Sequence, residues 1–155
     1  MGNLLIGSYS ARTDKSGRIK IPEKFRVAIE QQYGKELFIT SLTDQAIQLY
    51  PLPVWEKLTG VTKEGLTHLR PNVRMFMLRV NRMGSKAEFD SKGRVLVSQP
   101  LREKAKLDGD VEVIGLNNHL EIWNKQTLDE TLEENPLTQQ DFEHLASLSK
   151  KDEKE

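Results

Sequence analysis

The sequence predicts an α+β fold in which two copies of one β-hairpin module interlock about a pseudo-two-fold axis, with helices flanking them. An internal repeat aligns residues 11–50 with residues 87–123, and each copy alternates turn signals with short apolar strands. A unit of about 45 residues lies near the size below which one core needs disulfides or a metal to be stable. The chain has no cysteine, so we expect the two copies to pack together.

The repeat is closest over the first hairpin of each copy. Residues 11–26, ARTDKSGRIKIPEKFR, lie over residues 87–102, AEFDSKGRVLVSQPLR, without a gap. The shared residues that carry the alignment are Asp14/Asp90, Gly17/Gly93, Arg18/Arg94 and Arg26/Arg102. When short gaps are allowed, residues 37–50 also align with residues 111–123, and Tyr50 and Trp123 occupy equivalent positions. A duplicated unit explains these matches.

Each copy is predicted to run strand, tight turn, strand, short helix, strand, turn, strand. Residues 14–17 and 90–93 place Asp first and Gly last in a type I turn, where the carboxylate accepts backbone N–H bonds and Gly takes a positive φ. The next strand of the first copy sends Arg18 and Lys20 to one face and Ile19 and Ile21 to the other. Short helices are expected over 23–31 and 101–106, and second turns at 43–45 and 117–118.

The predicted organisation has four parts: a first module over 3–51, a helical connector over 52–84, a second module over 85–132, and a C-terminal helix with an acidic tail over 133–155. In the connector, one helix opens at Pro53 and another follows Pro71. A capping box at 138–141 predicts a last helix to about Ser149. The shared core is expected to comprise Ile19, Ile21, Phe38, Ile47 and Leu49 packed against Val95, Val97, Val113 and Ile122. Core or subunit contacts are expected for Met75, Phe76 and Met77, and core or interface positions for Tyr50 and Trp123.

Charge is distributed unevenly although the formal net charge is zero. Residues 1–106 hold 19 Lys/Arg and 10 Asp/Glu, whereas residues 107–155 hold 4 and 13. Such an asymmetry can place a basic surface opposite an acidic one. No apolar run approaches the ~18 residues of a membrane span and no secretory signal opens the sequence, which predicts a cytoplasmic protein and no membrane partner.

The sequence gives little indication of an enzyme active site. Its histidines, His68, His119 and His144, are far apart and lack metal-ligand spacing, and no phosphate-binding glycine loop or nucleophile elbow occurs. Asp14 and Asp90 could meet as a carboxylate pair, but each is explained by its turn. We therefore expect no catalytic residue, no metal site and no cofactor.

Three segments of the two repeats resemble a known family. The segments DKSGRIKIPEKFR at 14–26 and DSKGRVLVSQPLR at 90–102, with GLNNHLEIW at 115–123, are similar to the MraZ family over roughly residues 3–132. The resemblance implies two AbrB-like swapped-hairpin modules, a ring-shaped homo-oligomer, and binding to short repeated DNA elements upstream of the division and cell-wall gene cluster. It also implies that Asp14, Arg18, Asp90 and Arg94 are the motif residues. Ser98 replaces the proline that stands at Pro22, so equal contact of both copies with DNA does not follow.

The basic residues of the repeats supply a physical reason for a duplex DNA partner. Lysines at a hairpin tip can neutralise phosphates, and a two-stranded ribbon fits the major groove, where an arginine can pair bidentately with guanine. We take Arg18 and Arg94 as the candidate base readers, and Gly17 and Gly93 as turn residues together with Asp14 and Asp90. The predicted DNA-binding residues are Arg12, Lys15, Arg18, Lys20, Lys24, Lys86, Lys92 and Arg94.

Two alternatives stay open at this level. Arg18 and Arg94 could instead pair with Asp14 and Asp90 or line a subunit seam. The chain could also be an antitoxin-like protein-binding module, because AbrB-type hairpins occur beside toxin-neutralising tails. That reading needs an extended C-terminal arm, whereas the signals at 138–141 favour a helix. The sequence does not distinguish activation from repression, and it gives neither the operator nor the number of subunits.

Overall fold

The computed structural model describes residues 4–60 and 70–154, with side chains to residue 150. The chain divides into two compact units, residues 1–125 and residues 126–155. None of the helices in these described ranges combines the length and the apolarity needed to cross a bilayer. The predicted α+β class is confirmed, because the described residues contain six helices and antiparallel sheets.

In the first unit, each copy of the repeat contributes four strands and a helix. The first copy consists of β1 (Leu5–Arg12), β2 (Arg18–Lys20), α1 (Glu23–Tyr33), β3 (Glu36–Thr40) and β4 (Ala46–Pro51). The second consists of β5 (Ser85–Glu88), β6 (Arg94–Leu96), α4 (Gln99–Ala105), β7 (Asp110–Asn117) and β8 (Leu120–Asn124). Between them lie α2 (Leu52–Leu58) and α3 (Pro71–Met83). The predicted element order is therefore correct for both copies.

The strands form a six-stranded antiparallel sheet in the order β1-β7-β8-β4-β3-β5 and a two-stranded ribbon of β2 and β6. Strand β1 of the first copy pairs with β7 of the second, and β5 of the second pairs with β3 of the first. Exchanging the two copies reverses the order of the strands but leaves it otherwise unchanged. Neither copy could keep its sheet without the other, as the small size of the unit predicts.

The main core lies on one face of the large sheet and includes side chains from both copies. Ile19, Ile47 and Val95 are among its fully buried members, together with Ile122. The prediction was wrong for Phe38, which belongs to a second cluster with Tyr50, Leu52, Trp55 and Val80. Side chains alternate along a strand, so Leu37 and Ile39 enter the main core while Phe38 points to the opposite face. There its ring stacks on Trp55 with centroids 4.6 Å apart.

Several boundaries differ from the predictions. Helix α1 continues to Tyr33, two residues beyond the expected end, because Gly34, with a φ of 95°, is the first residue able to cap it in this way. Helix α4 begins at Gln99, two residues before the expected start. Pro100 therefore lies in the first turn of the helix, where a proline is tolerated because the N–H groups there have no partner within the helix. Met75, Phe76 and Met77 were expected in the core or in a subunit contact; Met75 and Phe76 are exposed on α3, at 48% and 40%, so neither belongs to the core of the chain.

The second unit consists of α5 (Lys125–Glu134), whose first residue closes the first unit, and α6 (Gln139–Lys154). The capping box is confirmed: the backbone N–H of Asp141 donates to Thr138 Oγ1 at 3.2 Å, and the N–H of Thr138 donates to Asp141 Oδ2 at 2.8 Å. The backbone N–H of Thr138, and then its hydroxyl at 2.9 Å, donate to the Asp141 carboxylate and lower its pKa. Helix α6 extends past the expected end near Ser149 to Lys154.

Candidate nucleic-acid interface

Each of the two duplicated turns is held by its own aspartate. Asp14 Oδ1 accepts the backbone N–H groups of Ser16 and Arg18, both at 2.9 Å, and the Ser16 hydroxyl at 2.6 Å. Asp90 Oδ1 accepts the N–H groups of Lys92 and Arg94 at 2.9 and 2.8 Å. Each aspartate thus accepts two backbone N–H groups of its own turn, the arrangement expected from the sequence. They fix where the arginine two residues beyond the tip leaves the backbone.

The glycine of each turn is hydrogen-bonded to the residue that follows the short strand of the other copy. The N–H of Ile21 donates to the carbonyl of Gly93, and the N–H of Val97 donates to the carbonyl of Gly17, both at 3.0 Å. Arg102 of the second copy covers Gly17, where an added Cβ would lie 2.7 Å from its guanidinium carbon. Arg26 covers Gly93 in the same way, with a closest approach of 3.0 Å. The two bends therefore form one rigid surface element.

Strands β2 and β6 lie antiparallel between these turns, with Arg18 opposite Leu96, Ile19 opposite Val95, and Lys20 opposite Arg94. Ile19 and Val95 are fully buried, so the other side of the ribbon faces outward. The outward side presents Arg18, Lys20, Arg94 and Leu96. Leu96 occupies the position equivalent to Lys20 and is 52% exposed. The ribbon is thus basic on three of its four outward positions, and its two halves differ.

The two motif arginines have different partners. Arg94 Nε lies 2.8 Å from Asp90 Oδ2, and Arg94 Nη1 lies 3.4 Å from Asp14 Oδ2, so this guanidinium joins the two turns. Arg18 donates from Nη1 to the Ser16 hydroxyl at 2.8 Å, and its Nε is 4.0 Å from Asp90 Oδ2. Their side chains remain 39% (Arg18) and 32% (Arg94) exposed. Both can reach a ligand, but Arg18 is less committed to carboxylates.

Hydrogen bonds keep both aspartates ionised. The Ser16 hydroxyl and the backbone N–H of Arg18 lower the pKa of Asp14 to about 2 from its ordinary 3.8. The backbone N–H of Arg94 is the largest cause of the lowered pKa of Asp90. Arg94 therefore faces two carboxylates at neutral pH, and their negative charges are partly neutralised before any ligand arrives.

The remaining predicted residues fall into two groups. Lys15 and Lys92 lie exposed in the two turns, and Lys24 is exposed on the first turn of α1. Arg12 and Lys86 do not join them, because their neighbours Ala11 and Ala87 pack on the main core and alternation turns Arg12 and Lys86 to the other face of the large sheet. Arg12 there pairs with Asp110 at 3.2 Å, while Lys86 lies opposite Phe38.

The electrostatic balance of the turns and ribbon is positive, with Lys15, Arg18, Lys20, Lys92 and Arg94 against Asp14 and Asp90. Sequence reasoning missed the covering role of Arg26 and Arg102, although their identity in the repeat was a signal for it. It also missed the outward Leu96, since the second strand only nearly alternates.

No other chemistry competes at this surface. Within residues 4–60 and 70–154, no group of His, Cys, Asp and Glu side chains could hold a metal ion. His119 stacks on Tyr50 with ring centroids 4.4 Å apart, and burial lowers its pKa. His119 thus packs on a neighbouring aromatic ring.

Comparison with known proteins gives a consistent result. The family model described as "MraZ protein, putative antitoxin-like" matches residues 4–70 and 84–148, one match for each copy of the repeat. The chain is 39% identical over 142 residues to the transcriptional regulator MraZ of Acidobacterium capsulatum, covering 92% of this chain and 97% of that protein. It is 32% identical over 143 residues to the protein of the same name from Koribacter versatilis, with the same coverage of 92% and 97%.

A more distant relative, the transcriptional regulator MraZ of Thermoanaerobacter sp. (strain X514), is 30% identical over 147 residues, covering 94% of this chain and 99% of that protein. Identity therefore extends through both repeats in relatives from different bacteria. Two matched repeats, and relatives aligned over nearly their whole length, make this chain a member of the MraZ family of transcriptional regulators, which are not enzymes.

Proposed function

We propose that this chain regulates transcription by binding double-stranded promoter DNA specifically through the outward face of the β2/β6 ribbon and its two turns. The observation that carries the proposal is that Arg18 and Arg94, with three lysines, share one rigid exposed element. A two-stranded ribbon is narrow enough for the major groove. The names of the relatives, transcriptional regulators, support this function.

The residues of the ribbon and turns make different contacts with DNA in this proposal. Lys15, Lys20 and Lys92 contact phosphates, which gives affinity that falls steeply with salt through counterion release. Arg18 reads a base edge, because its carboxylate partner, Asp90, is 4.0 Å away, whereas Arg94 pairs with two carboxylates at 2.8 and 3.4 Å. Arg94 holds the two turns at a fixed spacing and offers its remaining donors to the duplex. Lys24, exposed on the first turn of α1, contacts a flanking phosphate in this proposal. Arg12 and Lys86 were also predicted to contact DNA, but they lie on the other face of the large sheet and take no part in the ribbon contact.

The architecture proposed for the chain is a pair of AbrB-like swapped hairpins in pseudo-two-fold arrangement. The exchange of β1 and β5 between the copies supports it. One subunit presents one such ribbon, which is a small DNA contact. A ring of identical subunits would present many ribbons to short repeated elements and gain affinity through effective concentration. We propose that the repeats lie upstream of the division and cell-wall gene cluster, including the chain's own promoter, so the protein acts in the cytoplasm at the nucleoid.

Electrophoretic mobility shift with the upstream region of the chain's own gene tests the proposal. The full chain should shift this duplex at concentrations that leave a scrambled duplex of equal length unbound. The double variant Arg18→Ala/Arg94→Ala should lose the shift while its mass in solution stays that of the unchanged protein. Equal binding of both duplexes would refute specificity. Loss of the oligomer in the double variant would show that the arginines have a structural role instead.

An antitoxin-like protein-binding module is the other candidate, and the description of the matching family model favours it. Such a module would use its C-terminal segment as an extended arm, whereas residues 139–154 form a helix with a complete capping box. A chain ending at Glu134 separates the two functions. Full DNA shift together with loss of a co-purifying toxin would favour the antitoxin.

A further inference from the structure

Helix α6 carries an apolar stripe along one side. Phe142, Leu145 and Leu148 recur at intervals of three residues, which places them along one side of the helix. All three are exposed, as is every other side chain of α6 through residue 150. A helix with a continuous apolar stripe is typical of one that packs against a partner.

The charge of the segment that carries this stripe is strongly negative. Residues 126–155 contain 9 Asp/Glu and 3 Lys/Arg, whereas residues 1–125 contain 14 and 20. The two segments therefore have net charges of −6 and +6. A partner for α6 should combine an apolar floor with basic edges.

A groove of about 1070 Å³ on the first unit has this character. Helix α3 forms one wall, and its exposed Met75 and Leu78 supply apolar surface together with Leu42 of the β3–β4 turn. Arg74, Arg79 and Arg82 line the same groove.

The charges of the groove are available to a ligand. Lys104 pairs with Asp44 at 2.9 Å, which occupies the one carboxylate of the lining. Among the described residues, none of the three arginines of α3 takes part in an ion pair. With residues 61–69 left aside, the groove therefore holds three arginines without an ion pair beside exposed apolar side chains.

We infer that α6 of one copy docks its Phe142–Leu145–Leu148 stripe into the α3 groove of a second copy. The complementary charge and the matching apolar surfaces carry this inference. Every copy offers both a helix and a groove, so the contact is heterologous and passes from subunit to subunit, closing into a ring if the rotation permits. The inference rests on the oligomer of the proposed function and names the surfaces that would hold it together.

A mixing experiment tests this contact with two variants of the full chain. Leu78→Asp places a charge in the groove, and Leu145→Asp places one in the stripe; both leucines are about half exposed, at 49% and 54%, so the core is untouched. Each variant alone should lose the high-mass oligomer in sedimentation velocity or light scattering. An equimolar mixture should form a one-to-one heterodimer, because one copy keeps an intact groove and the other an intact helix. Leu58→Asp on α2, at a leucine 56% exposed, is the matched control and should keep the mass of the unchanged protein.

Three results would overturn the inference: an unchanged mass for either variant, a mixture that stays monomeric, or an unchanged protein that is itself monomeric because α6 occupies its own groove. Circular dichroism of each variant shows whether it folds. The failure of this contact and the failure of DNA binding are separable. If only the docking is wrong, the variants keep their mass and the upstream duplex still shifts. If only DNA binding is wrong, the masses change as expected and no variant shifts any duplex.

Discussion

Replacing Arg18 by alanine isolates the base-reading role that we assign to it. An arginine that pairs bidentately with guanine contributes ~1–3 kcal/mol of discrimination. At about 1.4 kcal/mol per factor of ten, Arg18→Ala should reduce the ratio of specific to scrambled binding by about 5- to 150-fold. The Nε of Arg18 is 4.0 Å from its nearest carboxylate. The loss should therefore come from the DNA contact, with little change in the free energy of unfolding.

The assay is fluorescence anisotropy with a duplex that carries one repeat element, so that the loss is not multiplied over a ring. Arg18→Lys is the sharper variant, because it keeps the charge and removes the planar fork; it should keep the affinity for the scrambled duplex and still lose specificity. Lys57→Ala removes an exposed positive charge on α2 and serves as the control. If Arg18→Ala weakened both duplexes equally, Arg18 would be a phosphate contact and the reasoning would be refuted.

Four further outcomes follow from the same contacts. Lys20→Ala should lower the log–log salt slope of binding by ~0.9 for each bound subunit, measured by anisotropy between low and physiological salt. Gly17→Ala should cost about 1–2 kcal/mol of stability in a thermal melt, because φ is 88° and the new Cβ would meet Arg102, whereas Gly60→Ala has open space and should cost nothing. The pKa of Asp14 is about 2 in the folded chain against 3.8 when unfolded, so its carboxylate contributes stability above pH 4 that is lost as the pH falls towards 2. Asp14→Asn should therefore make the free energy of unfolding depend less on pH in that range. Ile122→Ala, in the fully buried core, should cost about 2–5 kcal/mol in denaturant unfolding, and a smaller loss would contradict the shared core.

The repeat and the turn chemistry could be predicted because both depend on neighbours in sequence. Asp14 and Gly17 define their turn through bonds that span four residues, and Ile19 alternates with Arg18 whatever the chain packs against. The capping box at Thr138 is local for the same reason. The need for the two copies to interlock followed from size, since each is too small to be stable alone.

The tertiary structure decided what depends on residues far apart in sequence. Phe38 does not belong to the predicted core, because both faces of β3 are buried and its side chain lies on the second one. A strand that is apolar on both faces does not show in its sequence which face a given residue occupies. Arg94 and Arg18 are identical in the repeat, yet the packing of the two turns gives Arg94 the carboxylates of both Asp14 and Asp90 and leaves Arg18 more open. Local chemistry thus determined how each turn is held, while the pairing of β2 with β6 gave the two motif arginines different carboxylate partners.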